Sequence, residues 1–526
     1  MEIQKRQPGC GVVPAVLAVM LASLLASSGA IAQSKKSWIT VGDAAFVHLQ
    51  KVAPHVIAKE SKLLRSNDAM APLAQTEKVH LVEVDDEQML KLSAAVHKEL
   101  KRCGGFMFHS SETEGRKALH QQATPVATAF SRPTYAIDNQ AAISPVLSTM
   151  QASNIATTIM DLSNFVNRYY TTTGGTDASN WLRTKWAGMA SGRPDITVTQ
   201  FAHSGYNQKS VIVTINGTDN ASEVVVLGAH LDSINGSGTG ETTRARGADD
   251  DASGIASLTE ALRAMIAANY KPRRTIKIMG YAAEEVGLRG SAAIAQNFKA
   301  NNINVVGVMQ LDMTNYKGSA GDIYIYTDFT DSLQNDFIAR LIASYQPTLT
   351  IGYDKCGYGC SDHASWTAQG YPASLPFEAT FSQDNPFIHT ANDTFANAGG
   401  QANHSLKFAR LGASFAMELG SDGPSISVPD TIVNYNGTLT AGQTRSIGPF
   451  KVGVGKTLKA ETTGTGDVDL YVRKGAVPTT STFTCKSDGP SATEACTVSM
   501  TASGDVYVLL KGYTASTYNL KVTYQP

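Results

Sequence analysis

EVVVLGAHLDS (Glu223 to Ser233), GADDDASGIASLTEALRAMIAAN (Gly247 to Asn269) and TIKIMGYAAEE (Thr275 to Glu285) together decide the fold. Val224 to Ala229 is an unbroken apolar run of strand length, and Thr275 to Tyr281, apolar apart from Thr275 and Lys277, reads as another strand. Such runs mark strands buried on both faces. Between them Ala252 to Asn269 carries helical periodicity, with Asp251 or Ser253 as a cap and Pro272 beyond the end. Working outward, Val211 to Ile215 and Val305 to Met313 read as further strands. Ala152 to Tyr170 and Leu406 to Leu419 read as helices, and another helix is expected to begin between Glu284 and Ser291. Alternating apolar strands and helices predict an α/β domain with a mostly parallel central sheet covered by helices on both faces.

In an open α/β sheet, ligands sit beyond the carboxyl ends of the strands. His230, Asp250, Glu285, Asp312 and His389, all of metal-ligand type, fall at or just after such ends or in the loops that follow. Singly each has a plain reading: a polar-turn histidine, a helix cap, a solvated glutamate. Capping, however, needs only one of Asp249, Asp250 and Asp251, and three adjacent acids repel unless a cation or helix terminus compensates. Asp312 closes a buried apolar strand, where an unpaired carboxylate costs several kcal/mol. Asp232 stands two residues after His230, placed to orient its imidazole. Glu284, beside Glu285, is a spare acid. Two histidines, several carboxylates and one unspent acid are what a two-metal hydrolase needs.

The rest of the chain bounds the setting. At 526 residues it holds roughly three or four units of domain size. A net charge of −1 without a basic stripe argues against nucleic-acid partners and against attraction to anionic membranes. Lys5 and Arg6, the apolar stretch Gly11 to Leu25 and the small-x-small site Ala30-Ile31-Ala32 predict a secretory signal peptide over residues 1–32. Nothing downstream reaches membrane-spanning length. Residues 33–130 are rich in Lys and Glu, as in KVHLVEVDDEQMLKLSAAVHKELKR (Lys78 to Arg102), and are expected to form an α+β pro-region with a strand at Val79 to Val84 and a helix at Glu87 to Lys101. The catalytic domain then spans 131–420. SDGPSISVPD, residues 421–430, reads as a linker, and 431–526 shows the short alternating runs of a small β-sandwich. Cys10 would leave with the signal and Cys103 with the pro-region. The remaining four pair by proximity as Cys356 with Cys360 and Cys485 with Cys496, as an oxidising compartment permits. A zinc-ligand role for the Cys-x-x-x-Cys pair is the competing reading.

Once these residues are assembled, the chain resembles the secreted bacterial leucyl aminopeptidases with a co-catalytic zinc pair. HSGYNQKSV (His203 to Val211), GADDDASGIA, YAAEEVGLRGS, QLDMTNYKGSA, CGYGCSDHASW (Cys356 to Trp366) and NPFIHT carry the resemblance across Ala152 to Gly420. It implies a zinc-exopeptidase-like fold and two Zn²⁺ ions per chain. Asp250 would bridge them, His230 and Asp312 would complete one site, and Glu285 and His389 the other. Glu284 is implied as general base, Asp232 as the partner of His230, and Tyr358 as a group facing the substrate or its oxyanion. The Asp250–Asp251 peptide is implied to be cis. Met313, Cys356, Cys360, Phe377, Phe381 and Ile388 would wall an apolar pocket for the first side chain. Asp384 stands where the family has an aromatic, and Leu375 where a methionine is common. The tail, through DVDLYVRKG (Asp467 to Gly475), the Cys485/Cys496 pair and YVLLKGYTASTYNLKVTY (Tyr507 to Tyr524), resembles the bacterial pre-peptidase C-terminal domain.

The expected protein is a secreted, monomeric zinc aminopeptidase acting on peptides with a free N-terminus and preferring leucine or another large apolar first residue. The alternatives are an exopeptidase of other specificity such as a carboxypeptidase, a single-zinc glutaminyl cyclase-like enzyme, and a non-enzymatic adhesion protein on a peptidase scaffold. Loss of a ligand or of the base would favour the last, and neither is lost.

Overall fold

The computed structural model describes residues 36–63, 78–100, 102, 105–121, 132–422, 430–453, 456–501 and 504–525. The signal expected at 1–32, Cys103, the pro-region boundary near 130 and most of the 421–430 linker lie outside the described residues.

At the centre is an eight-stranded sheet in the order Ile351–Asp354, Ile323–Tyr326, Ala373–Phe377, Asn304–Gln310, Asn220–His230, Arg274–Tyr281, Ser210–Ile215, Ile196–Phe201. Its four middle strands, Ala373–Phe377 to Arg274–Tyr281, run parallel. Antiparallel pairings enter outside them, at Ser210–Ile215, Ile196–Phe201 and Ile323–Tyr326. The sheet is therefore mixed, with its parallel part where the apolar runs are longest. The helix Ala252–Ala267 is buried on nearly all sides, packed into the same apolar core as Ile155, Ile159, Phe408, Leu411 and Phe415. That explains its apolar sequence: it lies under other helices rather than under solvent.

Several elements end earlier than the periodicity suggests. The expected Ala152–Tyr170 helix stops at Ser163, and Arg168 beyond it turns inward. The strand expected to reach Met313 ends at Gln310. The helix expected to begin between Glu284 and Ser291 does begin in that span, at Arg289. Asp312 and Glu284 with Glu285 therefore lie in loops at the sheet's carboxyl edge, where backbone geometry is free to aim side chains.

The described residues before 122 include a four-stranded antiparallel sheet, ordered Ala58–Leu63, Lys78–Asp85, Lys36–Gly42, Phe106–His109. Helix Asp86–Ala95 begins with a capping box, Asp85 with Gln88, and widens into a π-turn at Val96–Leu100. The tail folds into two four-stranded antiparallel sheets around Leu458, Leu470, Val472, Val508 and Leu520, and Cys485 is bonded to Cys496. Among the described residues no helix is long and apolar enough to cross a membrane.

Candidate metal centre

Three adjacent parallel strands end within a few residues of the cluster. His230 terminates one, Asp312 lies two residues past the end of Asn304–Gln310, and Glu284 and Glu285 follow Tyr281. Asp250 precedes the buried helix, and His389 arrives on the loop after Ala373–Phe377. The structure thus brings all five predicted donors and Glu284 together, each nearly or fully buried.

Asp250 faces both histidines. Its Oδ1 is 2.8 Å from His230 Nε2 and its Oδ2 is 2.9 Å from His389 Nε2. Asp312 Oδ1 is 3.5 Å from His230 Nε2, and Glu285 Oε2 is 3.4 Å from His389 Nε2. Asp232 Oδ1 stands 3.5 Å from His230 Nδ1, and its two oxygens accept the backbone N–H groups of Glu284 and Glu285 at 3.0 and 3.1 Å. Ser361 donates to Asp312 Oδ2 at 2.6 Å. Single donor atoms of His230, Asp250 and Glu285, and of His230, Asp251 and Asp312, lie within 4.8 Å of one another.

This donor set fits divalent cations. Both carboxylate oxygens of Glu284 and of Glu285, and Oδ1 of Asp312, are buried without a hydrogen-bond donor. Buried anionic oxygens without donors are costly unless a positive charge compensates. Burial and the Asp312 carboxylate accordingly push Glu284 well above the ordinary range, and burial with Asp250 and Glu284 does the same to Glu285. Burial also opposes ionisation of Asp250, but hydrogen bonds from His230 and His389 prevail and hold it below that range. Neutral imidazoles and carboxylates are ligands that zinc accepts.

A polar scaffold that sequence reading missed holds these donors in place. Asp251 was legible only as a helix cap. Its Oδ1 accepts from Gly254 N at 2.9 Å and Met313 N at 3.1 Å, and its Oδ2 accepts from His230 N at 3.0 Å. The peptide between Asp250 and Asp251 is cis, as the resemblance implies. Asp393 accepts from the backbone N–H groups of Asp249 and Asp250. Arg168, fully buried, donates from Nε to Leu231 O at 2.8 Å and from a terminal nitrogen to Gly247 O at 2.9 Å. It thereby ties the turn after His230 to the turn before Asp250. No periodicity marks Arg168 or Asp393, because both lie in loops.

The predicted pocket residues also meet. Met313, Cys356, Tyr358, Cys360, Leu375, Phe377 and Ile388 form one buried apolar cluster, with Phe381 packed against it and Tyr326 as an unpredicted member. Cys356 is bonded to Cys360, which excludes zinc ligation by that pair. Asp328 accepts from Cys356 N and Gly357 N and so shapes the loop that carries Tyr358. Burial, with Asp249 and Asp250, pushes Asp384 up to about 7. The N-terminal module reaches the same place. His97 is buried, with its ring centroid 4.2 Å from that of His389.

A sequence model described as peptidase family M28 matches residues 210–411. Leucine aminopeptidase 1 of Penicillium rubens is 36% identical over 299 residues, covering 54% of this chain and 76% of that protein. Leucine aminopeptidase 1 of Arthroderma otae is 36% identical over 335 residues, covering 61% and 87%. Among solved structures, the LapA aminopeptidase of Legionella pneumophila superposes with a TM-score of 0.60 at 29% identity, covering 74% of this chain and all of that one (100%). Fold, donors and relatives together define a metallo-aminopeptidase, a hydrolase of peptide bonds. The chain belongs to peptidase family M28.

Proposed function

We propose that this chain is an exported, monomeric zinc aminopeptidase that removes leucine or another large apolar residue from peptides with a free N-terminus. The observation that carries the reading is Glu284: a buried carboxylate without a hydrogen-bond donor, whose backbone is held by Asp232 and whose neighbour Glu285 lies in the cluster with His230, His389 and Asp250. Two zinc ions would be held by Asp250 between them, by His230 with Asp312 on one side and by Glu285 with His389 on the other. Bound zinc supplies Lewis acidity, which lowers the pKa of water toward 7 and polarises a carbonyl. Glu284 takes the proton of the attacking water and returns it to the leaving amine. Tyr358 faces the developing oxyanion. Asp232 sets the orientation of His230 and fixes the backbone of Glu284. The free α-amino group sits on the Glu285/His389 side, so cleavage begins at the N-terminus.

The charged–apolar–small order of residues 1–32 supports export, and two disulfides agree with an oxidising compartment. Residues 33–130 serve as a pro-region and 431–526 as a pre-peptidase C-terminal domain in this reading.

The test is a panel of aminoacyl-p-nitroanilides and blocked peptides with zinc-loaded, processed protein, with metal measured on the same sample. Hydrolysis of the leucyl substrate, lost on chelation and restored by zinc, is expected at about two ions per chain. Activity only on peptides with a free carboxyl end, or one zinc with cyclisation of N-terminal glutamine, would replace this reading.

A further inference from the structure

We propose that the N-terminal module keeps the enzyme latent by delivering His97 as a protein ligand to the metal position formed by Glu285 and His389, while Arg102 closes the apolar pocket. The inference rests on the zinc reading above and adds a donor from a part of the chain to which that reading gives no metal role.

His97 Nε2 is 3.9 Å from Glu285 Oε2, and both side chains are essentially inaccessible to solvent. Donor atoms of His97, Glu285 and His389 lie within 4.8 Å of one another. Two ligands each about 2.1 Å from one zinc ion stand roughly 3.0 to 4.2 Å apart, depending on the angle between them. The His97–Glu285 separation of 3.9 Å and the His389–Glu285 separation of 3.4 Å both fall in that window. His97 Nε2 also lies 3.1 Å from the Glu285 carbonyl, to which Ser93 Oγ donates at 3.2 Å. Ligation through Nε2 moves the imidazole proton to Nδ1 and leaves the Ser93 bond to hold the loop.

The module grips both walls of the site. Phe108 N donates to Gly287 O at 3.1 Å, continuing the strand Phe106–His109 against the turn that follows Glu285. A Cβ built on Gly287 would lie 2.7 Å from Phe106, so only glycine admits this approach. The Arg289 guanidinium lies 5.0 Å from the centroid of the Phe108 ring and reaches Met89 Sδ at 3.4 Å. On the other wall, the Arg102 guanidinium sits 4.9 Å from the Phe381 ring centroid and 5.8 Å from that of Tyr358. One segment thus places an imidazole where the substrate amine would bind and a cation over the mouth of the first side-chain pocket. Both contacts must break before a peptide can enter.

The test compares uncut full-length chain with its His97→Gln and His97→Ala variants, each loaded with Co²⁺ and then with Zn²⁺. Gln keeps a donor for the Glu285 carbonyl and much of the volume, so the comparison survives if the Ala variant fails to fold. Expected are a changed cobalt absorption spectrum, metal loss to a chelator faster by about tenfold or more, and leucyl-p-nitroanilide hydrolysis raised by about tenfold in the uncut variant. After proteolytic removal of the segment before residue 132, parent and variant should become identical in all three. An identical cobalt spectrum and identical metal loss for uncut parent and His97→Gln would overturn the ligand role. Processed protein that binds no metal and hydrolyses nothing would instead overturn the zinc reading, and this inference with it.

Discussion

Replacing Asp251 with alanine should cripple both stability and metal binding, although Asp251 is not one of the five assigned donors. Its carboxylate accepts three buried backbone N–H groups, from His230, Gly254 and Met313. Each belongs to a segment that carries a donor: His230 itself, the helix after Asp250, and the loop at Asp312. Alanine leaves all three N–H groups without an acceptor. A buried unsatisfied donor costs about 1–3 kcal/mol, so the total is about 3–9 kcal/mol. Whole domains are stable by only about 5–15 kcal/mol, so the Asp251→Ala catalytic domain is expected to be largely unfolded or close to it. Asp251→Asn keeps one oxygen for Gly254 and Met313 but turns an amide N–H toward His230 N. It should cost about 1–3 kcal/mol and weaken metal affinity about 10- to 100-fold, as loss of a ligand-orienting partner does. Urea unfolding followed through the catalytic-domain transition, with zinc content measured by mass spectrometry, reads both quantities. An alanine variant within about 1 kcal/mol of the parent that keeps its full zinc content would refute the reasoning.

Three further outcomes follow from other parts of the structure. Glu284→Gln should lower kcat by about 10²- to 10⁴-fold with zinc content unchanged; zinc lost together with activity would mean that Glu284 is a ligand and Glu285 the base. Converting Cys356 and Cys360 to serine should cost about 2 kcal/mol, given the short loop they close, and should raise KM for the leucyl substrate, because the bond shapes the segment carrying Tyr358; an unchanged KM would detach that loop from substrate binding. Burial opposes ionisation of Asp322, yet Lys407 at 2.8 Å and the Thr350 N–H and hydroxyl hold its carboxyl below the ordinary 3.8. Its contribution is therefore complete above about pH 4 and fades on acidification, so Asp322→Asn should flatten the acid limb of a stability–pH profile measured between pH 5 and pH 2, and an unchanged slope would contradict this.

Much of the site was legible because its donors end long apolar strands. A buried strand must be apolar for its whole length, so the first acid or histidine after it stands out, as His230 and Asp312 do. The strands Ile323–Tyr326 and Ile351–Asp354 escaped notice because each has only four residues: IYIY is a strand-prone run too short to stand out, and IGYD has no run at all. The sheet's antiparallel flanks were illegible for a related reason: apolar content reports burial, not direction.

By itself the sequence determined which residue types stand at strand ends, which cysteines lie close enough to pair, and where the composition turns from α/β to β. Those are local properties, set by periodicity and separation along the chain. Only the tertiary structure decided that the two oxygens of Asp250 face different histidines, that Asp251 and Asp393 accept the backbone around the donors, and that Arg168 bridges two turns. It alone decided that His97, 188 residues before Glu285 in the chain, lies against it. Contacts of that separation arise from packing one module on another, and no pattern within a segment encodes them.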